Sequence, residues 1–174
     1  NAPYFSADAE VKKIYKSSRK CFAVLRKKFP KLIKTFPIKK KELSNVIKKN
    51  LFDLKKIGLV VHPFVRKKLK IFLKKNKKKK IVLLDIPLFL ENKMYQKGDV
   101  IIFLKTKRKD VMKRLKKRKN FNKKLLGILR KLQLTLKQKQ KKSKYVLVNN
   151  YNSANIKNKV KILKDKILND RSSS

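Results

Sequence analysis

An α/β fold with a mainly parallel sheet is predicted for this chain by three features. Apolar runs without alternation stand at 81–84, 100–104 and 145–148, a pattern that suits strands covered on both faces. Segments with apolar residues at helical spacing separate them. The 174 residues are 41% hydrophobic, enough to build a core, and no linker is long enough to divide the chain in two.

Taken in order, Pro3-Tyr4-Phe5-Ser6 reads as a short extended run ending near Asp8. From Glu10 to about Phe29, the apolar residues Val11, Ile14, Tyr15, Phe22, Val24 and Leu25 recur near helical spacing, and Pro30 stops the pattern. Residues 30–37 form a connector, after which Leu43, Val46 and Ile47 mark another helix. His62-Pro63 is expected to open the next, because proline at a first helical position sacrifices no hydrogen bond. That helix carries Val65, Leu69 and Phe72, and Asn76 with four lysines forms an exposed loop. Between the last two apolar runs lies a basic helical stretch of roughly 109–142, interrupted around Asn120, Phe121 and Asn122. Val160, Ile162, Leu163, Ile167 and Leu168 give a final amphipathic helix.

Lys and Arg number 54 against 10 Asp and Glu, for a formal charge of +44. Only eight of the 54 are Arg, the residue whose planar fork reads base edges and phosphates. Lysine spread along almost every segment fits solvated faces of a compositionally biased protein, although it attracts polyanions non-specifically. No run approaches the ~18 apolar residues of a membrane span. The single cysteine, Cys21, excludes an internal disulfide and a Cys-rich zinc site, and His62 alone cannot build a two-histidine metal site.

Two stretches carry candidate chemistry. Asp85 ends an apolar strand, where a carboxylate either caps a turn or holds a magnesium ion or its waters. The following Ile86-Pro87-Leu88-Phe89-Leu90-Glu91 sets a bulky apolar loop and a carboxylate at the rim where ligands of such sheets sit. Arg114 and Arg118 are four apart and would share one helix face, either as a solvated basic face or as neutralising groups for a transferred phosphoryl.

Ser6-Ala7-Asp8-Ala9 at a strand end, His62-Pro63, Asp85 to Glu91, Arg114 with Arg118, Gln133, and Asn149 after a strand form an ordered set that resembles the dephospho-coenzyme A kinases. The resemblance runs from about Phe5 to the final helix. It implies a three-layer parallel sheet of the P-loop nucleoside/nucleotide kinase type, lacking its first, central strand, with a helical substrate region and a helical lid. A single domain, 1–174, would then have its sheet core in 1–8, 81–106 and 144–174, its substrate region in 9–80 and its lid in 107–143. The implied reaction moves the ATP γ-phosphate to the ribose 3′-hydroxyl of dephospho-coenzyme A with Mg²⁺. The implied protein is a cytoplasmic monomer with no membrane partner and no specific nucleic acid.

Carried over by position, the resemblance makes Asp8, Arg114 and Arg118 catalytic, with Asp8 as base or orienter. His62, Arg66, Pro87 and Glu91 would bind substrate, although for His62 packing or capping serves as well. Arg118 and Asn149 would bind ATP, and Asp85 would hold the metal through water. Ser6 stands where the family's first aspartate is usual, and Lys144 replaces another aspartate. The family's glycine-rich phosphate loop, G-x-x-x-x-G-K-[ST], has no counterpart: Gly58, Gly98 and Gly127 lie in no such motif. With only seven residues before Asp8, the chain is expected to be an N-terminally truncated copy, inactive by itself. Strands 81–85 and 100–104 would flank the missing strand, about 9–10 Å apart and unpaired. Two other readings remain: a basic RNA-binding protein of ribosomal type, and another nucleotide kinase of the same fold.

Overall fold

The computed structural model describes residues 2–50, 52–119, 121–131 and 133–172. They form two compact units, Asn1–Pro87 and Leu88–Ser174.

The first unit runs β1 (Tyr4–Ser6), α1 (Ala7–Ser17), α2 (Arg19–Lys28), α3 (Lys40–Lys49), α4 (Asp53–Lys75) and β2 (Leu83–Asp85). β1 and β2 are parallel, with Tyr4 opposite Leu83, Phe5 opposite Leu84 and Ser6 opposite Asp85. α4 packs against α1, α2 and α3. Between them lie Ile14, Cys21, Leu25, Ile33, Val46, Ile57, Val61 and Val65, all buried. Phe5 joins this core from the strand, its ring 5.4 Å from that of Phe72.

The single helix expected over 10–29 is two. Ser18 takes an extended conformation; its N–H donates to the Ile14 carbonyl, closing α1, while its hydroxyl accepts the Cys21 N–H at 3.2 Å, opening α2. One serine therefore satisfies both helix ends and redirects the chain, which periodicity alone does not reveal. Pro63 likewise does not open a helix: it sits inside the 23-residue α4. The missing N–H weakens that helix locally, and burial of Val60, Val61 and Val65 on either side holds it continuous.

Glu42 organises the connector before α3. Its carboxylate accepts the backbone N–H of Lys34, Thr35 and Lys39 at 2.8–3.0 Å and the Thr35 hydroxyl at 2.9 Å. Burial by itself would raise its pKa, but these four donors outweigh that and hold it below the usual value of 4.5.

The second unit runs β3 (Ile102–Lys105), α5 (Arg108–Lys116), α6 (Lys123–Lys131), α7 (Leu136–Lys141), β4 (Tyr145–Val148) and α8 (Ser153–Ser172). β3 and β4 are parallel, with Ile102 opposite Tyr145, and α8 packs against β4. The expected basic helical stretch is thus three helices. Of the residues expected to interrupt it, Asn120 lies outside the described residues.

Among the described residues both strand pairs, β1–β2 in the first unit and β3–β4 in the second, are parallel. Leu83, Leu104 and Val148 are 50%, 58% and 47% exposed.

Candidate functional site

In the first unit, the Ser6–Asp85 register brings two expected positions to the same end of the sheet. Ser6 is the N-cap of α1, its hydroxyl accepting the Ala9 N–H at 3.4 Å, so the chain turns at once into the helix. Asp8 therefore occupies the first turn of α1, just beyond the carboxyl end of β1, a position where the helix dipole favours a negative charge. Among the described residues the exposed Asp8 carboxylate has no hydrogen-bond or ion-pair partner. Asp85, by contrast, accepts the Tyr4 hydroxyl at 2.9 Å across the β1–β2 pair. Sequence reading missed Tyr4; its place opposite Leu83, two residues from Asp85, follows only from strand pairing.

His62 and Arg66 lie one turn apart on α4, both exposed. Partial burial, then the Arg66 guanidinium, lowers the His62 pKa from its ordinary value and favours the neutral ring. The imidazole lies over Gly58: a Cβ built there would meet its Cε1 and Nε2 at 3.4 Å. Pro87 ends this unit, two residues beyond β2. A cavity of about 450 Å³ opens beside β1, between α1 and α4, lined among others by Ser6, Glu10, Lys68 and Phe72. Neither Asp8, Asp85 nor His62 lines it, so it is not the expected site.

In the second unit, Arg114 lies with its guanidinium 4.3 Å from the Tyr151 ring centre. Tyr151 sits in the turn after β4 at a φ of 61°, a left-handed conformation unusual for a bulky residue. Asn149 builds that turn: its N–H donates to the Lys105 carbonyl at the end of β3, and its side-chain oxygen accepts the Tyr151 N–H at 2.8 Å. Asn149 and Arg114, distant in sequence, thus belong to one cluster through Tyr151, which sequence reading did not single out. A lone tyrosine beside asparagines carries no signal of its own.

Arg118 does not share a helix face with Arg114. α5 ends at Lys116, and Arg118 lies in the tightened turn that follows, its N–H donating to the Leu115 carbonyl at 3.0 Å. Asp110 stands one turn before Lys113 and Arg114, but Lys116, Lys117 and Arg118 have no acidic residue three or four positions away to extend the helix. Glu91 accepts the Leu134 N–H at 3.0 Å and pairs with Lys139 at 2.9 Å. Burial alone would raise its pKa; the Lys139 ammonium and backbone N–H groups bring it below 4.5.

No group of three or more His, Cys, Asp or Glu that could hold a metal occurs among the described residues. A single strand-end carboxylate such as Asp85 still suits Mg²⁺, which keeps most of its waters and takes one or two carboxylates beside substrate phosphates.

The dephospho-CoA kinase family model matches residues 1–155. A dephospho-CoA kinase of Wolbachia pipientis wMel is 29% identical over 168 residues, spanning 95% of this chain and 86% of that protein. One from Bartonella henselae is 26% identical over 145 residues, spanning 82% and 74%. Among solved structures, a dephospho-CoA kinase from Campylobacter jejuni superposes with a TM-score of 0.63 at 22% identity, covering 96% of this chain and 85% of that one. A protein from Thermus thermophilus, TT1252, gives 0.68 at 19%, covering 95% and 85%. Identities this low establish a common fold.

Proposed function

The chain belongs to the dephospho-CoA kinase family, and from that premise we propose that it serves the ATP-dependent phosphorylation of the ribose 3′-hydroxyl of dephospho-coenzyme A. The observation that carries this reading is the unpartnered Asp8 carboxylate beyond β1, beside a parallel strand that ends in Asp85. In the proposed step the 3′-oxygen attacks the γ-phosphorus, the bond to ADP breaks, and Asp8 takes the hydroxyl proton. Asp85 would hold Mg²⁺ through water; bound there, the ion would neutralise phosphate charge. Arg114 and Arg118, on a lid formed by 107–143, would neutralise charge on the moving phosphoryl. The turn at Asn149 would border the adenine, and His62, Arg66 and Pro87 would bind the acceptor.

The 174 residues contain no glycine-rich phosphate loop. The reading therefore includes that this polypeptide alone turns over poorly, since nothing replaces the phosphate-cradling amides. It also takes the protein to be a cytoplasmic monomer; no described helix is long and apolar enough to cross a membrane.

The test is direct. Purified 1–174 should bind dephospho-coenzyme A yet give no measurable ATP-dependent turnover, and turnover would overturn the inactivity. In a chain extended to include a phosphate loop, Asp8→Asn should lower kcat at least a hundredfold with little change in KM for ATP. Unchanged kcat would remove Asp8 from the reaction.

A further inference from the structure

We propose that Glu91 is a positioning residue that pins the return arm of the 107–143 segment, rather than a contact to substrate. The inference rests on the reading of that segment as a lid.

Glu91 stands in a turn, 88–94, that is already knitted to itself. Asn92, Lys93 and Met94 donate their N–H groups to the carbonyls of Leu88, Leu90 and Phe89 at 2.9–3.2 Å. Leu88 and Lys93 hold left-handed conformations, φ 57° and 48°, which non-glycine side chains adopt only where the surroundings impose them. From this turn the carboxylate reaches a segment more than forty residues later in sequence. One oxygen, Oε1, takes both the Leu134 N–H and the Lys139 ammonium.

The receiving segment is equally ordered. Lys139 also donates to Gln133 Oε1 at 2.9 Å, so one ammonium ties Gln133 and Glu91 together. Thr135 and Gln138 form a reciprocal capping box at the start of α7. Residues 133–139 are thus a compact elbow, and Glu91 fastens it to the 88–94 turn. Its side chain is only 12% exposed, and its Oε1 is occupied, which disfavours the substrate contact expected from sequence. Arg114 and Arg118 lie on the other arm of the same segment. A fixed elbow defines the point about which that arm moves, as hinges do in closing lids. Gln133, quoted in the family resemblance, gains a role here: it fixes the lysine that holds Glu91.

The test is amide hydrogen exchange on 1–174, which needs no turnover. Glu91→Ala should speed exchange at Leu134 and through α7 about tenfold or more, leaving the β3–β4 amides protected. Glu91→Gln keeps an acceptor for Leu134 and should change that amide only a few-fold. Unchanged exchange in Glu91→Ala would overturn the proposal. If Glu91→Ala also opens β3–β4, Lys139→Met decides: it should speed exchange in α7 alone, and no effect there would overturn the proposal. Dephospho-coenzyme A titrated calorimetrically should bind wild type and Glu91→Gln equally; binding weakened more than about fivefold with exchange unchanged would make Glu91 a substrate ligand. In a chain extended to include a phosphate loop, Glu91→Gln should lower kcat with KM for dephospho-coenzyme A unchanged, and the opposite split would overturn the proposal. Failure of wild type to bind at all would count against the functional reading and leave the exchange result to judge Glu91.

Discussion

Residues 1–87 bury Cys21, Leu25, Ile33 and Val46 completely, whereas residues 88–174 bury no described side chain to that degree and leave Leu104, Val146 and Val148 substantially exposed. Both units contain one parallel strand pair and several helices, so the difference is not one of local structure. In the first unit three helices close around α4, and apolar burial defines the arrangement. In the second, α8 covers β4, and polar ties do much of the positioning: Glu91 to Lys139 and Leu134, Tyr145 to Asp170, Arg114 over Tyr151. Apolar packing is short-ranged and gives a stiff body; a polar tie as exposed as Arg114 over Tyr151 is weaker and exchanges readily with water. The lid proposed for 107–143 would belong naturally to the second kind of unit.

The comparison breaks most easily at the core. Leu25→Ala should destabilise the first unit by roughly 3 kcal/mol, because a fully buried leucine leaves a cavity. Leu104→Ala in the second should cost less than about 1 kcal/mol. Chemical denaturation of the two variants measures both, and equal losses would show that the second unit relies on apolar burial as much as the first.

Next in size is the carboxylate that organises residues 34–39. Glu42→Gln should cost roughly 2 kcal/mol, since four donors lose a charged acceptor. The pH dependence has a definite sign. The folded pKa lies below 4.5, so between that value and 4.5 the unfolded chain binds more protons. The stabilisation is complete above 4.5 and is lost as pH falls through the folded pKa; Glu42→Gln should abolish that part of the acid transition. An unaltered acid transition in the variant would assign it to other groups.

Smaller still is the clamp on Arg114. Tyr151→Ala should cost about 0.5–1 kcal/mol, the scale of an exposed cation–π contact, and should raise the mobility of the Arg114 side chain in NMR relaxation. Unchanged relaxation would mean the stacking does not hold the arginine.

The smallest effect is expected at Gly58. Alanine there gains helix propensity, up to about 1 kcal/mol, and its Cβ would rest against the His62 ring at 3.4 Å. Net stabilisation below about 1 kcal/mol with a shifted His62 resonance is expected. A large destabilisation would show that the ring cannot yield.

Much of this was legible in advance. Periodicity located α3 and α8, and apolar runs located all three later strands, because burial demands those patterns whatever the tertiary context. The ordered motifs pointed to the family, and strand-end positions put Asp8 and Asp85 at one end of the sheet. Other features were not legible. Ser18 splits a helix without altering its apolar spacing, and Pro63 lies mid-helix because neighbouring valines are buried. Arg118 leaves the face of Arg114 because α5 ends at Lys116.

By itself, then, the sequence determined where apolar surface must be buried, which local segments are helix or strand, and which chemical groups exist to be used. Those properties belong to residue types and their spacing, and survive any arrangement of the elements. Only the tertiary structure decided which groups meet: Tyr4 with Asp85, Asn149 with the end of β3, Tyr151 with Arg114, Glu91 with Lys139. Each joins residues more than thirty positions apart. The free energy of such a contact depends on distance and desolvation in the folded chain, and neither is a function of composition or local spacing.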